Sequence, residues 1–266
     1  MKLREKMWLW GHPERRYNYE FGNDKESRMT PMESCLYLGV RNTFMSPVGW
    51  KVDRRQYNKS FITLREVGWE CYKAGENPDL INPIIEEARN FPNNGRVVFD
   101  DFKRQNRYGD YTKLKMEDLF EVSRRLHEDA PRPMSMWMVL YANEFGLGEE
   151  ADADFRRYID PFDGVIMWGW LESKVKDQFP EKYEIFKKLT HDKRRMLGCY
   201  LYNFGESRQA TPEIVLWQLD TYREKLIAGE IEGIVLHSNP MADLDYPAFE
   251  VAREWMLIHG DDEIPD

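Results

Sequence analysis

The sequence has 266 residues, of which 42% are hydrophobic and 32% charged, enough apolar material for a sizeable core, which excludes a globally disordered chain. Its 47 acidic residues outnumber 38 basic ones, and the formal net charge of −9 disfavours a nucleic-acid or anionic-membrane partner, since both need a basic face. Three widely spaced cysteines, Cys35, Cys71 and Cys199, give neither a disulfide framework nor a zinc spacing, and no apolar run approaches a membrane span.

In chain order, the first apolar run is Met7–Trp10, a strand that ends at Gly11-His12-Pro13. It is too short for the apolar region of a signal peptide, so a reducing, cytoplasmic setting is expected. A leader already removed would leave no trace. A long polar loop, Glu14–Arg28, follows. Thr30-Pro31-Met32-Glu33 then combines Thr at the N-cap, Pro at the first helical position and Glu two residues later, a capping box that opens a short helix. The second strand is expected at Val40–Met45, closed by Ser46-Pro47, and a helix over Asp53–Val67. Gly68–Tyr72 reads as the third strand, with Phe61–Leu64 as the alternative. Asn77-Pro78 opens a helix that places Ile81, Ile84, Ile85 and Ala88 on one face.

The fourth strand is Arg96–Phe102, an apolar run that carries Asp100 and Asp101 near its end; a polar loop, Lys103–Tyr111, follows. A helix is expected from Lys113 to Glu128, then a fifth strand over Pro133–Tyr141. A short helical piece leads to the sixth strand, Gly164–Trp168, and a helix over Glu172–Leu189. The seventh strand is expected at Met196–Tyr202, and Thr211-Pro212 caps the helix that Gly229 ends. Gly233–His237 is the eighth strand, and a helix over Pro247–Ile258 closes the chain.

Strand and helix thus alternate eight times, and the strands are short and apolar, as parallel strands covered on both faces should be. No glycine-rich phosphate fingerprint follows any strand, which removes the main reason for an open doubly wound sheet. The fold class is therefore α/β, a single (β/α)8 TIM barrel over residues 1–266. Its active-site mouth is expected at the C-terminal strand ends.

Read as one set, those ends offer His12, Glu70, Asp100, Asp101, Tyr141, Asn143, Glu144, Trp168, Trp170, Glu172, Tyr202, Asn203, Glu206 and His237. The opposite ends carry Arg4, Arg41, Arg96, Arg132 and Arg195, which read as a charged, solvated rim. Trp8, Trp10 and Trp137 sit at core-like positions. Aromatic faces stack on sugar rings, while Asn, His and carboxylates bind hydroxyls, so the acid-and-aromatic end suits carbohydrate. A pair of carboxylates across a glycosidic bond is the usual hydrolytic apparatus. Because side chains alternate along a strand, Asp100 and Asp101 can face the same way only if the strand has already ended.

At these residues the chain resembles the barrel glycoside hydrolases. Those families carry their acids on strand four and on strand six or seven, so the resemblance implies catalytic roles for Asp100 or Asp101, then Glu172 or Glu206. Several α-glycosidase families also place an Asp-Asp pair at a strand end. The resemblance covers the whole barrel pattern, but its motifs are generic. The Asn-Glu dipeptide that many retaining families carry at the end of strand four is absent, and Asn143-Glu144 follows strand five instead. Its role is not transferred.

On this reading the substrate is a small carbohydrate or glycoside, with His12, Glu70, Tyr141, Asn143, Glu144, Trp168, Trp170, Tyr202, Asn203 and His237 as substrate-binding residues. No cofactor, nucleic-acid or membrane partner is expected, and the oligomeric state is left open. A second class is a metal-dependent sugar isomerase, epimerase or lyase, with His12, His237 and strand-end carboxylates around a divalent cation. A third is a sugar-binding barrel without turnover.

Overall fold

In the computed structural model, which describes residues 1–103, 112 and 114–265, eight strands close into a parallel barrel in sequential order. The first half of the chain runs β1 (Met7–Gly11), α1 (Pro31–Leu38), β2 (Asn42–Met45), α2 (Arg54–Ser60), β3 (Glu66–Glu70), α3 (Asn82–Asn90) and β4 (Asn94–Phe99). It continues with α4 (Met116–Arg124), β5 (Ser135–Tyr141), α5 (Glu149–Ile159), β6 (Gly164–Trp168) and α6 (Glu172–Leu189). The last part is β7 (Arg194–Tyr200), α7 (Pro212–Ile227), β8 (Gly233–His237) and α8 (Pro247–His259). The fold is the expected (β/α)8 barrel. No helix among the described residues is long and apolar enough to cross a membrane.

Local chemistry accounts for most boundaries. The Thr30 hydroxyl accepts the Glu33 amide, and the Glu33 carboxylate accepts the Thr30 amide at 2.8 Å, so the capping box forms as read. Gly39 ends α1 in the left-handed region at φ 72°. The helix expected over Asp53–Val67 is shorter, because Phe61 and Leu64 are buried in the turn that follows Ser60. The third strand accordingly begins at Glu66, earlier than expected, and Phe61–Leu64 is no strand. The fourth stops at Phe99 and the seventh at Tyr200, each short of its expected end. The expected loop beyond Lys103 and the helix start at Lys113 lie outside the described residues, Thr112 apart.

The chain divides into two compact units. One comprises Met1–Val52, Gly169–Phe179 and Met196–Asp266, with β1, β2, β8 and nearly all of β7. The other comprises Asp53–Trp168 and Pro180–Arg195, with β3 to β6. In the first unit Trp8 stacks on Phe44 of β2 at 4.4 Å, a flat pair on the inner face of the strands. In the second the guanidiniums of Arg96 and Arg194 lie over the ring of the fully buried Trp137, at 4.9 and 5.0 Å. Arg96 is buried and makes a bidentate pair with Glu66 at 2.7 and 2.9 Å. Arg132 donates to the carbonyls of Ala88, Phe91 and Asn94. Both were expected on a solvated rim, and both instead tie strand starts together.

Candidate active site

In the unit that carries β3 to β6, the outward positions are set by packing. Trp69 donates its indole N–H to Asn58, just past α2's first turn, at 3.0 Å, and Phe99 packs edge-on against Phe162 at 5.2 Å. Glu70 and Val98, which are register partners, therefore lie on the opposite, inner face, and alternation carries Asp100 to the same face. Asp101 takes a left-handed backbone at φ 50°, which Asp tolerates better than most side chains, and so leaves the strand's alternation. Its carboxylate accepts the Tyr141 hydroxyl at 2.7 Å. Because β4 ends at Phe99, alternation no longer separates the two aspartates.

Glu70, Asp100 and Asp101 are only 6%, 8% and 7% exposed. Burying a carboxylate is costly unless it is hydrogen-bonded or used. Glu70's charge, after burial, helps push the Cys71 thiol well above its usual range. Glu144 has a turn-forming role: it accepts the Tyr141 amide at 2.9 Å and its own amide returns to the Tyr141 carbonyl. Lys103 donates to the Glu144 carbonyl at 2.8 Å, and burial pushes its ammonium below the usual lysine range. Asn143 is exposed on that turn. Trp168 ends β6 fully buried, and its carbonyl accepts the Ala142 amide.

The other unit gathers imidazoles and aromatic rings. His12 and His237 end neighbouring strands, and their Nε2 atoms face each other at 3.2 Å. His12 Nδ1 donates to the Ser46 carbonyl at 2.8 Å. Tyr200, the register partner of His237, has its ring 5.0 Å away, and Phe204 lies at 4.8 Å. Tyr17 reaches back from the loop after β1, its hydroxyl 3.3 Å from His12 Nε2. Burial, then the nearby His12, holds the His237 imidazole well below its usual range, so it is neutral at pH 7.

Glu206 and Glu172 are engaged in loop structure. Glu206 accepts the Ser173 amide at 3.1 Å, the Asn203 side chain at 2.9 Å and Arg208 at 2.6 Å. Hydrogen bonding from Ser173 leads the lowering of its pKa to about 2; burial opposes this, while Asn203 and Arg208 reinforce it. A group held ionised so firmly does not serve as a proton donor near neutral pH. Glu172 accepts the Thr211 amide at 3.1 Å and so satisfies the start of α7, which the Thr211 side chain does not cap. Both glutamates were read as catalytic, and the geometry gives them anchoring contacts.

Tyr202 donates to the Phe21 carbonyl at 2.9 Å, and Asn203 is spent on Glu206. Trp170, half-buried, meets Tyr200 edge-on at 6.0 Å. Its carbonyl comes so close to Gly205 that a Cβ there would lie 2.1 Å away, which explains the glycine. Tyr17, Tyr200 and Phe204 were absent from the expected site. Aromatic residues at every second position, Tyr17, Tyr19 and Phe21, were the available signal in a loop that reads as polar. Among the described residues, no three His, Cys, Asp or Glu side chains gather so as to hold a metal ion.

No family model matches the sequence, and a search of curated proteins finds no match. The fold is nevertheless similar to solved structures. An endo-β-N-acetylglucosaminidase from Cordyceps militaris matches with a TM-score of 0.55 and 12% identity, over 94% of this chain and 89% of that one. A GH18 chitinase from Cycas revoluta matches with 0.56 and 10%, over 93% and 98%. An endoglucanase from Pseudomonas stutzeri matches with 0.52 and 9%, over 89% and 86%. At these identities the likeness is one of fold.

Proposed function

We propose that the protein is a glycoside hydrolase whose acid–base chemistry is carried by carboxylates at the end of β4. The observation that carries this reading is the burial of Glu70, Asp100 and Asp101 at the ends of adjacent strands, with Asp101 oriented by the Tyr141 hydroxyl. The names of the three similar structures support it, since each is a glycosidase.

In this reading Asp101 is the partner of the acid. The Tyr141 O–H bond fixes its direction, which suits a nucleophile or a base toward water. Asp100 is the proton donor to the glycosidic oxygen, on a carboxyl shielded from solvent. The glycosidic C–O bond breaks, its oxygen takes the acid's proton, and water supplies the new hydroxyl at the anomeric carbon. Glu70 and Trp168 bind substrate. The reaction needs water and protein groups only, without a cofactor.

The test is a panel of aryl glycosides and oligosaccharides, assayed with wild type, Asp100→Asn and Asp101→Asn. Turnover by wild type, with a loss of about 10²–10⁴-fold in each variant, supports the reading. Wild-type turnover in both variants would sink it. Sugar binding with no turnover of any glycoside would favour a binding barrel.

A further inference from the structure

At the starts of β3, β4 and β5, within one compact unit, lies a cavity of about 490 Å³ with a mostly polar lining. Among the described residues that line it, Arg65, Arg132 and Arg194 bring guanidiniums, and Glu66 and Asp163 bring carboxylates. Both acids are already engaged. Glu66 holds Arg96 in its bidentate pair. Asp163 accepts the Met136 amide at 2.7 Å and the His127 ring at 3.1 Å.

Arg132 differs from other arginines of this unit. Arg124, Arg125 and Arg156 each bond carboxylates. Arg132 instead donates to the carbonyls of Ala88, Phe91 and Asn94, at 3.1, 2.9 and 2.9 Å, and meets no carboxylate among the described residues. A guanidinium carries more donors than these bonds use, and Nε makes no hydrogen bond to the described protein. The carbonyls are uncharged, so they fix the fork without cancelling its net charge. Burial alone disfavours that charge. A half-buried cation without a counter-ion is a place that an anion stabilises.

We propose that this cavity binds the phosphate group of a small molecule, with Arg132 as its fixed cation and Arg65 and Arg194 flanking it. Arginine forks match phosphate oxygens in pairs. A phosphate monoester carries about two negative charges at pH 7. That suits a lining with more cations than acids, in a chain whose net charge is −9. The volume falls in the range of small-molecule sites, so an ester fits as well as the free ion. The site lies at strand starts, whereas Asp100 and Asp101 follow the end of β4. A strand of this length puts roughly 17–20 Å between the two. The phosphate site is therefore separate from the proposed glycoside chemistry and does not rest on it.

Isothermal titration calorimetry on the whole chain, in buffer free of phosphate, tests this with glucose 6-phosphate, inorganic phosphate and glucose as probes. Glucose 6-phosphate should bind at one site, and more weakly as sodium chloride is raised. Arg132→Gln should weaken that binding by about 10-fold or more. Arg65 is exposed, and Arg65→Gln should weaken it by about two- to five-fold. If circular dichroism shows Arg132→Gln unfolded, Arg65→Gln decides. Tighter binding of the sugar phosphate than of inorganic phosphate supports an ester as the source, and equal binding supports the free ion. No heat with either phosphate probe overturns the proposal. So does binding that the folded variants leave undiminished, or glucose binding as tightly as glucose 6-phosphate. None of these results depends on whether any glycoside is cleaved.

Discussion

The ends of β3 to β6 and the ends of β7, β8, β1 and β2 solve the same problem with different chemistry. In the first set, polar groups buried at strand ends are carboxylates, held by a phenol and by a change of backbone handedness at Asp101. In the second they are imidazoles set among Tyr17, Tyr200 and Phe204, and burial holds His237 neutral. Acids in the second set also exist, but Glu172 and Glu206 each take backbone amides and so hold the loop after β7 in shape. Residue type alone therefore does not mark a catalytic acid.

The largest effects should come from removing the aromatic floor beneath each set. Trp137→Ala and Trp8→Ala should each cost about 3–5 kcal/mol in urea unfolding, because both rings are almost fully buried against flat partners. A loss under about 1 kcal/mol in either would contradict the packing described. Tyr141→Phe removes the hydroxyl that orients Asp101, a bond to a charged group worth about 1.5–3 kcal/mol. Turnover should fall by roughly 10- to 150-fold while the fold persists; a KM change alone would place Tyr141 in binding.

A smaller effect separates the anchoring acids. Glu206 has its pKa lowered from 4.5 to about 2, so its stabilising contribution is full above the unfolded value and is lost as pH falls through the folded one. Wild-type stability should thus decline between pH 4.5 and 2, and Glu206→Gln should flatten that part of the acid-unfolding curve. An unchanged slope would contradict the hydrogen bonds from Ser173, Asn203 and Arg208. The smallest effect is Thr30→Ala, which removes one cap acceptor and should cost about 1 kcal/mol in thermal or urea unfolding.

The barrel was legible because its signals are local: repeated apolar runs, a capping box at Thr30 and helix-ending glycines at Gly39 and Gly229. Boundaries were less so. Asp100-Asp101-Phe102 continues an apolar pattern, and only the left-handed turn at Asp101 shows that β4 has finished. The seventh strand read two residues too long because Tyr200 and Tyr202 share its parity, which put Tyr202 in the expected site and left Tyr200 out. His12, Glu70, Asp100 and His237 stand out in the sequence because a polar residue at the end of an apolar strand is itself a signal, and all four are buried. Glu172 and Glu206 show what sequence omits. Their partners are the backbone amides of Thr211 and Ser173, which no residue pattern announces.

In the proposed reading the buried carboxylates that follow β4 do chemistry, while Glu206 after β7 holds structure. One assay on one cleaved glycoside compares Asp101→Asn with Glu206→Gln. The expected result is loss of turnover in Asp101→Asn, by about 10²–10⁴-fold, with Glu206→Gln within a few-fold of wild type. Full activity in Asp101→Asn together with an inactive, folded Glu206→Gln would contradict it.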